Sequence, residues 1–144
     1  DREVYFGGVV EVIAFDNSYA RLPDGFFARV NPDQAPDPSL IKVNEKLAAE
    51  IGLDATWLAS ADGIAMLSGA TVAEGSEPLA MAYAGHQFGH FSPQLGDGRA
   101  LILGEILDTQ GARKDVCLKG SGRTPYSRNG DGRATLGRNL YPRT

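Results

Sequence analysis

Between Leu95 and Arg133 the sequence brings together the two kinds of group that hold phosphate. Glycines let a backbone N–H approach a ligand closely, and long cationic side chains offset its charge. The turn L-G-D-G-R (95–99) closes on Arg99, and an alternating segment then runs to Lys119. A second glycine-rich stretch, G-S-G-R-T-P-Y-S-R-N-G-D-G-R, follows at 120–133. Backbone amides, one lysine and several arginines are the parts of a phosphate cradle. The charge agrees: residues 111–144 hold eight basic against two acidic side chains, a net +6 in a chain of −4. An acidic chain has gathered its positive charge in one stretch.

The order glycine turn, strand, turn, then lysine late in the next strand is that of a kinase N-lobe. The same residues also read as a β-hairpin with an ordinary glycine turn and a solvated lysine, and both readings stand at this point. A Walker A loop is excluded, because Lys119 precedes its glycines instead of following them. The pattern His86-Gln-Phe-Gly-His90 resembles a zinc-protease helix, but Gln87 stands where the general base belongs. Gly85 and Gly89 also oppose the helix that would align the imidazoles. The histidines read better as orienting a loop through hydrogen bonds, and no metal is assigned. Arg123, Arg128, Arg133 and Arg138 recur every five residues, which could contact RNA. With only Tyr126 nearby for stacking and an acidic chain overall, a solvated basic face is the better reading. Trp57, Phe26 and Phe27 read as core.

The elements that must carry these groups are those of one domain of 144 residues. No apolar run approaches a bilayer span, and no signal-peptide pattern opens the chain. A single cysteine, Cys117, forbids an internal disulfide and suits a reducing, cytoplasmic setting. The chain begins at Asp1 without a methionine. Residues 3–15 are β-prone, and F-F-A-R-V (26–30) is a short strand. Three prolines within 31–39 make an extended connector. A helix is expected over 40–51, capped by Ser39 and stopped by Gly52. A shorter one is expected over 54–59, capped by Asp54. Residues 60–78 read as loop with a short apolar element at 64–67, and 79–84 as strand or helical turn. Strands over 100–107 and 114–119 should form a hairpin, with Val116 and Leu118 on one face and Cys117 and Lys119 on the other.

Four strings carry a family resemblance: F-D-N-S-Y-A-R-L-P (15–23), Y-A-G-H-Q-F-G (83–89), P-Q-L-G-D-G-R-A (93–100) and L-K-G-S-G-R-T-P-Y-S-R-N-G-D-G-R-A (118–134). In order and content they resemble the selenoprotein O family from about residue 9 to residue 137. The resemblance implies an α+β chain: an N-terminal extension (1–80), a partial N-lobe of a protein-kinase-like fold (81–137) and a divergent tail (138–144). It implies transfer of AMP from ATP to Ser, Thr or Tyr hydroxyls of proteins, with ATP bound reversed so that the α-phosphate is attacked. The partners it implies are ATP, Mg²⁺ and protein substrates, with no nucleic acid and no membrane. The family's nucleotide residues fall on Gly96, Gly98, Arg99, Lys119, Asp131 and Gly132. Two departures follow. Pro142 stands where the family's lysine-pairing glutamate is expected, and the family's catalytic aspartate, metal ligands and a further arginine pair lie beyond residue 144. The chain is therefore expected to be inactive alone. The alternatives are a non-catalytic nucleotide- or anion-binding module and a basic RNA-contacting domain.

Overall fold

A computed structural model of the chain describes residues 13–135. Two 3₁₀ turns, Tyr19–Arg21 and Asp24–Phe26, lead into strand β1 (Phe27–Arg29). Three short helices follow, α1 (Glu45–Glu50), α2 (Ala55–Leu58) and α3 (Ala61–Ser68). Four further strands follow among the described residues: β2 (Leu79–Gln87), β3 (His90–Gly96), β4 (Ala100–Leu107) and β5 (Arg113–Lys119). All pairings are antiparallel, in the order β1-β2-β4-β5, with β3 attached to β2. The α+β class is as expected. No helix among the described residues is long and apolar enough to cross a membrane.

β4 is the centre of the fold. Its apolar run leaves Leu101, Ile102, Leu103 and Ile106 each 3% exposed or less. A strand buried on both sides reads as continuous apolar sequence rather than alternation. On one side Leu103 and Ile106 meet Ala48, Leu58 and Met66 of the three helices. On the other, Ile102 meets Leu79, Phe27 and Ala20. Each such fully buried aliphatic side chain contributes roughly 2–3 kcal/mol. In the β4–β5 ladder, Ile102 faces Cys117 and Gly104 faces Val116, so Leu103 is the extra residue of a bulge. Gly104 has no side chain because Asn17 and Phe15 lie where a Cβ would project.

That close approach locks the segment 15–19 along β4. Asp16 N–H donates to the Glu105 carbonyl at 2.7 Å. The Glu105 carboxylate, 4% exposed, accepts from Ser18 Oγ and Tyr19 N–H, both at 2.6 Å. Arg113 closes the cluster, donating to the Asp16 carbonyl at 2.7 Å and its carboxylate at 2.6 Å, with Glu105 at 3.6 Å. Burial pushes the Glu105 carboxyl up, but the Ser18 and Tyr19 hydrogen bonds and Arg113 outweigh it and hold it below its ordinary value.

The helices differ from expectation. α1 begins at Glu45, not at residue 40, because the Asn44 side chain caps Leu47 N–H at 3.1 Å. The β-branched Ile41 and Val43 weaken a helix started from Ser39, and Ile41 is 73% exposed, so coiling it would bury nothing. Gly52, at φ +77°, does end that region. α2 carries its expected Asp54 cap, on Thr56 N–H at 2.8 Å. α3 replaces the expected loop; Ser60 caps it and Gly69 closes it in the left-handed conformation. Its interior Gly63 is required, since a Cβ there would strike the α2 backbone. Phe27 is buried as expected, whereas Phe26 is 49% exposed, because neighbours along an extended chain face opposite ways. Residues 3–12 of the β-prone start and the tail with Pro142 lie outside the described residues.

Candidate phosphate-binding cleft

The hairpin β4–β5 sets the site. Ala100 pairs with Lys119, and the ladder continues as Gly120 N–H donates to the Arg99 carbonyl at 2.7 Å. Arg99, just before β4, and Lys119, the last residue of β5, are therefore brought to the same end of the hairpin. Leu118 is buried while Lys119 and Cys117 are exposed, the alternation read from the sequence. Burial nonetheless pushes the Cys117 thiol up from its ordinary value. Among the described residues, neither Arg99 nor Lys119 takes part in an ion pair.

The rest of the basic stretch is divided. Arg113 and Lys114 start β5, about 20 Å from Lys119 at the strand rise per residue. There they meet Asp16, Glu105 and Asp108. These two cations are structural, which corrects the expectation of one basic cluster. Sequence proximity concealed it, because an extended strand separates its two ends.

The glycine turn is tied down from both sides. Asp97 N–H donates to the Met81 carbonyl at 2.9 Å, and its carboxylate accepts from Met81 N–H at 3.2 Å and Tyr83 O–H at 3.3 Å. Burial, with Asp97 beside it, raises the Tyr83 phenol. From the other side, Thr124 Oγ1 donates to the Asp97 carbonyl and Ser127 Oγ to the Gly98 carbonyl, each at 2.5 Å. Gly96 and Gly98 do not adopt positive φ. Their requirement is space: a Cβ on Gly96 would enter the Tyr126 ring, and one on Gly98 would lie 2.9 Å from the Tyr126 carbonyl oxygen.

The second loop does use the left-handed region. Gly120, Gly122 and Gly132 have φ of +85°, +110° and +70°. Gly122 N–H donates to the Gly132 carbonyl at 3.2 Å, and a Cβ on Gly132 would land on the Gly122 backbone. Asp131 accepts from Arg133 N–H at 2.9 Å, which sets the approach to Gly132. Asp33, from the proline-rich connector, covers Gly122; it donates to the Ser121 carbonyl at 2.7 Å and accepts from Arg123 N–H at 3.3 Å.

Between these loops lies an open cleft of about 620 Å³. Gly96, Gly98, Arg99, Lys119, Asp131 and Gly132 all line it. Arg133 adds a third cation to its wall, and Tyr83, Gln87, Asp97 and Ser127 are among the lining residues that sequence reading did not assign to the site. The string T-P-Y-S carried a signal for the last of these, since Ser and Thr beside proline make turns closed by their own hydroxyls. An adjoining hollow is bordered by Tyr126 and by Arg128, which donates to Gln87 Oε1 at 3.2 Å.

His86 and His90 stand on separate strands, β2 and β3, joined at Phe88 and Gly89 with φ of +53° and +81°. That is the geometry of a two-residue hairpin turn. The loop expected there is a strand pair, and His86 meets the Phe91 ring edge-on at 5.4 Å between centroids.

The model of the family described as protein adenylyltransferase SelO matches residues 10–140. A protein nucleotidyltransferase YdiU of Bradyrhizobium sp. (strain BTAi1) is 64% identical over 123 residues, covering 85% of this chain and 25% of that protein. The protein of the same name from Rhizobium meliloti (strain 1021) is 65% identical over 123 residues, with the same coverage. The chain thus spans about a quarter of the length of these relatives. With the match running through the string 15–23 and through the strings 83–89, 93–100 and 118–134 that build the cleft, the chain belongs to the SelO family of nucleotidyltransferases.

Proposed function

We propose that the chain supplies the phosphate-holding part of a protein adenylyltransferase with a kinase-like N-lobe. The observation that carries this reading is one cleft lined by three cations, Arg99, Lys119 and Arg133, none of which takes part in an ion pair among the described residues, beside glycine-rich backbone. A planar guanidinium can grip two phosphate oxygens at once, and an ammonium acts as a point charge that follows them. Arg99 and Lys119 hold the polyphosphate of ATP, while Gly96, Gly98 and Gly132 keep side chains out of its way. Asp131 positions Gly132 through Arg133.

In the reaction, a substrate hydroxyl oxygen bonds to the α-phosphorus, the bond from that phosphorus to the bridging oxygen breaks, and pyrophosphate leaves. The hydroxyl proton goes to a base. Mg²⁺ would offset phosphate charge when bound. The described residues bring no three His, Cys, Asp or Glu side chains together, so they do not fit a metal centre by themselves, and no step is assigned to one here. In this reading the base and metal ligands belong to the part of the family's sequence that follows residue 144.

Competition separates this function from its rivals. Binding of a fluorescent ATP analogue to the chain should be displaced by ATP and tripolyphosphate and lost on Lys119→Ala. Displacement by single-stranded RNA at lower concentration than ATP would favour an RNA-contacting domain and overturn the proposal. Transfer of label from [α-³²P]ATP by a full-length family protein bearing this sequence, abolished by Lys119→Ala, tests the chemistry. Tight ATP binding without transfer would support a nucleotide-binding module instead.

A further inference from the structure

We propose that Thr124 and Ser127 are positioning residues that aim the backbone N–H groups of Gly98 and Arg99 at the bound phosphate; this rests on the phosphate-binding reading above. The two side chains belong to one tight turn. Ser127 N–H donates to the Thr124 carbonyl at 3.1 Å, Thr124 N–H to Ser127 Oγ at 2.8 Å, and Tyr126 N–H to Thr124 Oγ1 at 3.1 Å. Each hydroxyl thus accepts from the turn's own backbone, and each has one proton left to give. Those protons go to successive carbonyls of the glycine turn, Asp97 and Gly98, at 2.5 Å.

The consequence follows from peptide geometry. In an extended chain, successive carbonyls alternate in direction. Here two in a row point at the same small turn. A trans peptide directs its N–H opposite to its C=O. The Asp97 carbonyl shares its peptide with Gly98 N–H, and the Gly98 carbonyl shares its peptide with Arg99 N–H. Both N–H groups are therefore turned to the common side away from residues 124–127. Two successive N–H groups on one side form an anion-binding concavity. Gly98 and Arg99 line the cleft that holds Lys119, and Gly120 N–H fixes the next carbonyl, that of Arg99, at 2.7 Å. Tyr126, lodged where a side chain on Gly96 would sit, keeps the turn in register with its clamp. Without the hydroxyl protons the two peptides are free to flip, and the concavity is lost while Arg99 and Lys119 remain.

The test is nitrogen-15 NMR and calorimetric titration of the 144-residue chain with tripolyphosphate, alongside Ser127→Ala, Thr124→Val, the conservative Ser127→Thr and Thr124→Ser, and Lys119→Ala. In the unsubstituted chain the Gly98 and Arg99 amide resonances should shift on titration. Ser127→Ala and Thr124→Val should each weaken binding roughly tenfold, the scale of one directed hydrogen bond. They should also abolish those amide shifts, and the two conservative variants should restore both. If Lys119→Ala weakens binding while Ser127→Ala and Thr124→Val bind normally with both amides still shifting, the positioning role is overturned and the phosphate site stands. If tripolyphosphate does not bind, or Lys119→Ala is without effect, the phosphate reading fails and this inference with it. Should the alanine or valine variant not fold, the unsubstituted chain still decides: unmoved Gly98 and Arg99 amides in the presence of bound tripolyphosphate overturn the proposal.

Discussion

Replacing Glu105 tests the attachment of the segment 15–19 to the sheet. Its carboxylate is 4% exposed and accepts two short hydrogen bonds, from Ser18 Oγ and Tyr19 N–H at 2.6 Å. Hydrogen bonds to a charged group contribute about 1.5–3 kcal/mol each. Arg113 keeps its Asp16 contacts at 2.6 and 2.7 Å, so the loss of Glu105 does not strand it. Glu105→Ala should therefore cost about 3–6 kcal/mol, the two hydrogen bonds together. Glu105→Gln should cost roughly 1–3 kcal/mol, since its oxygen replaces one acceptor and its NH₂ cannot replace the other. The acid side has a definite sign. The folded carboxyl is held below its ordinary 4.5, so the unfolded chain takes up this proton first. Its stabilisation is present above that value and is lost as pH falls through the lower folded value. Asp16, lowered mainly by its Arg113 hydrogen bond, and Asp108, lowered mainly by the Ala112 N–H, add to the slope below their ordinary 3.8. Urea unfolding at pH 7 and across the acid limb measures both effects. A Glu105→Gln chain as stable as the original at pH 7, with an unchanged acid slope, would refute the reasoning.

Gly96→Ala should destabilise by about 1–3 kcal/mol, because its methyl group displaces the Tyr126 ring. Combined with Tyr126→Ala the cost should be less than additive in thermal unfolding, and additivity would contradict the contact. Phe27→Ala should cost about 3–4 kcal/mol, as its ring is 7% exposed within the apolar cluster of β1, β2 and β4. Phe26→Ala should stay within about 0.5 kcal/mol, its ring being 49% exposed; chemical denaturation compares the pair. Given [α-³²P]ATP and Mg²⁺, the 144-residue chain should label no protein, and label lost on Lys119→Ala would show that the chemistry resides within it.

What the sequence disclosed about the fold was strongest where burial is continuous. The run 100–107 became β4 with the same bounds, and β5 began one residue earlier than expected, still ending on Lys119. The run is apolar because both of its faces are covered, and D-T-Q-G is a turn whose Asp108 accepts from Gln110 and Ala112 N–H at 2.9 and 2.8 Å. Short elements were less legible. α3 lasts eight residues and includes Gly63, whose presence answers a tertiary contact with α2 rather than a local preference. β3 contains Pro93 and a largely exposed pattern, and its pairing with β2 depends on a turn at Phe88, an unusual residue for positive φ. The six cleft residues were legible from the resemblance and from glycine beside cation. Their supports, Thr124, Tyr126 and Ser127, lie about thirty residues from the turn they hold, and a local reading gives no sign of that distance being closed.

The central claim is that Arg99 and Lys119 hold phosphate in this cleft. Calorimetric titration of the 144-residue chain with a non-hydrolysable ATP analogue, at low and moderate salt, addresses it most directly. The account predicts weak binding at low salt, weakening further as salt screens the cations, and a loss of about tenfold or more on either Arg99→Ala or Lys119→Ala. Tight binding indifferent to salt, or affinity unchanged in the doubly substituted chain, would contradict it.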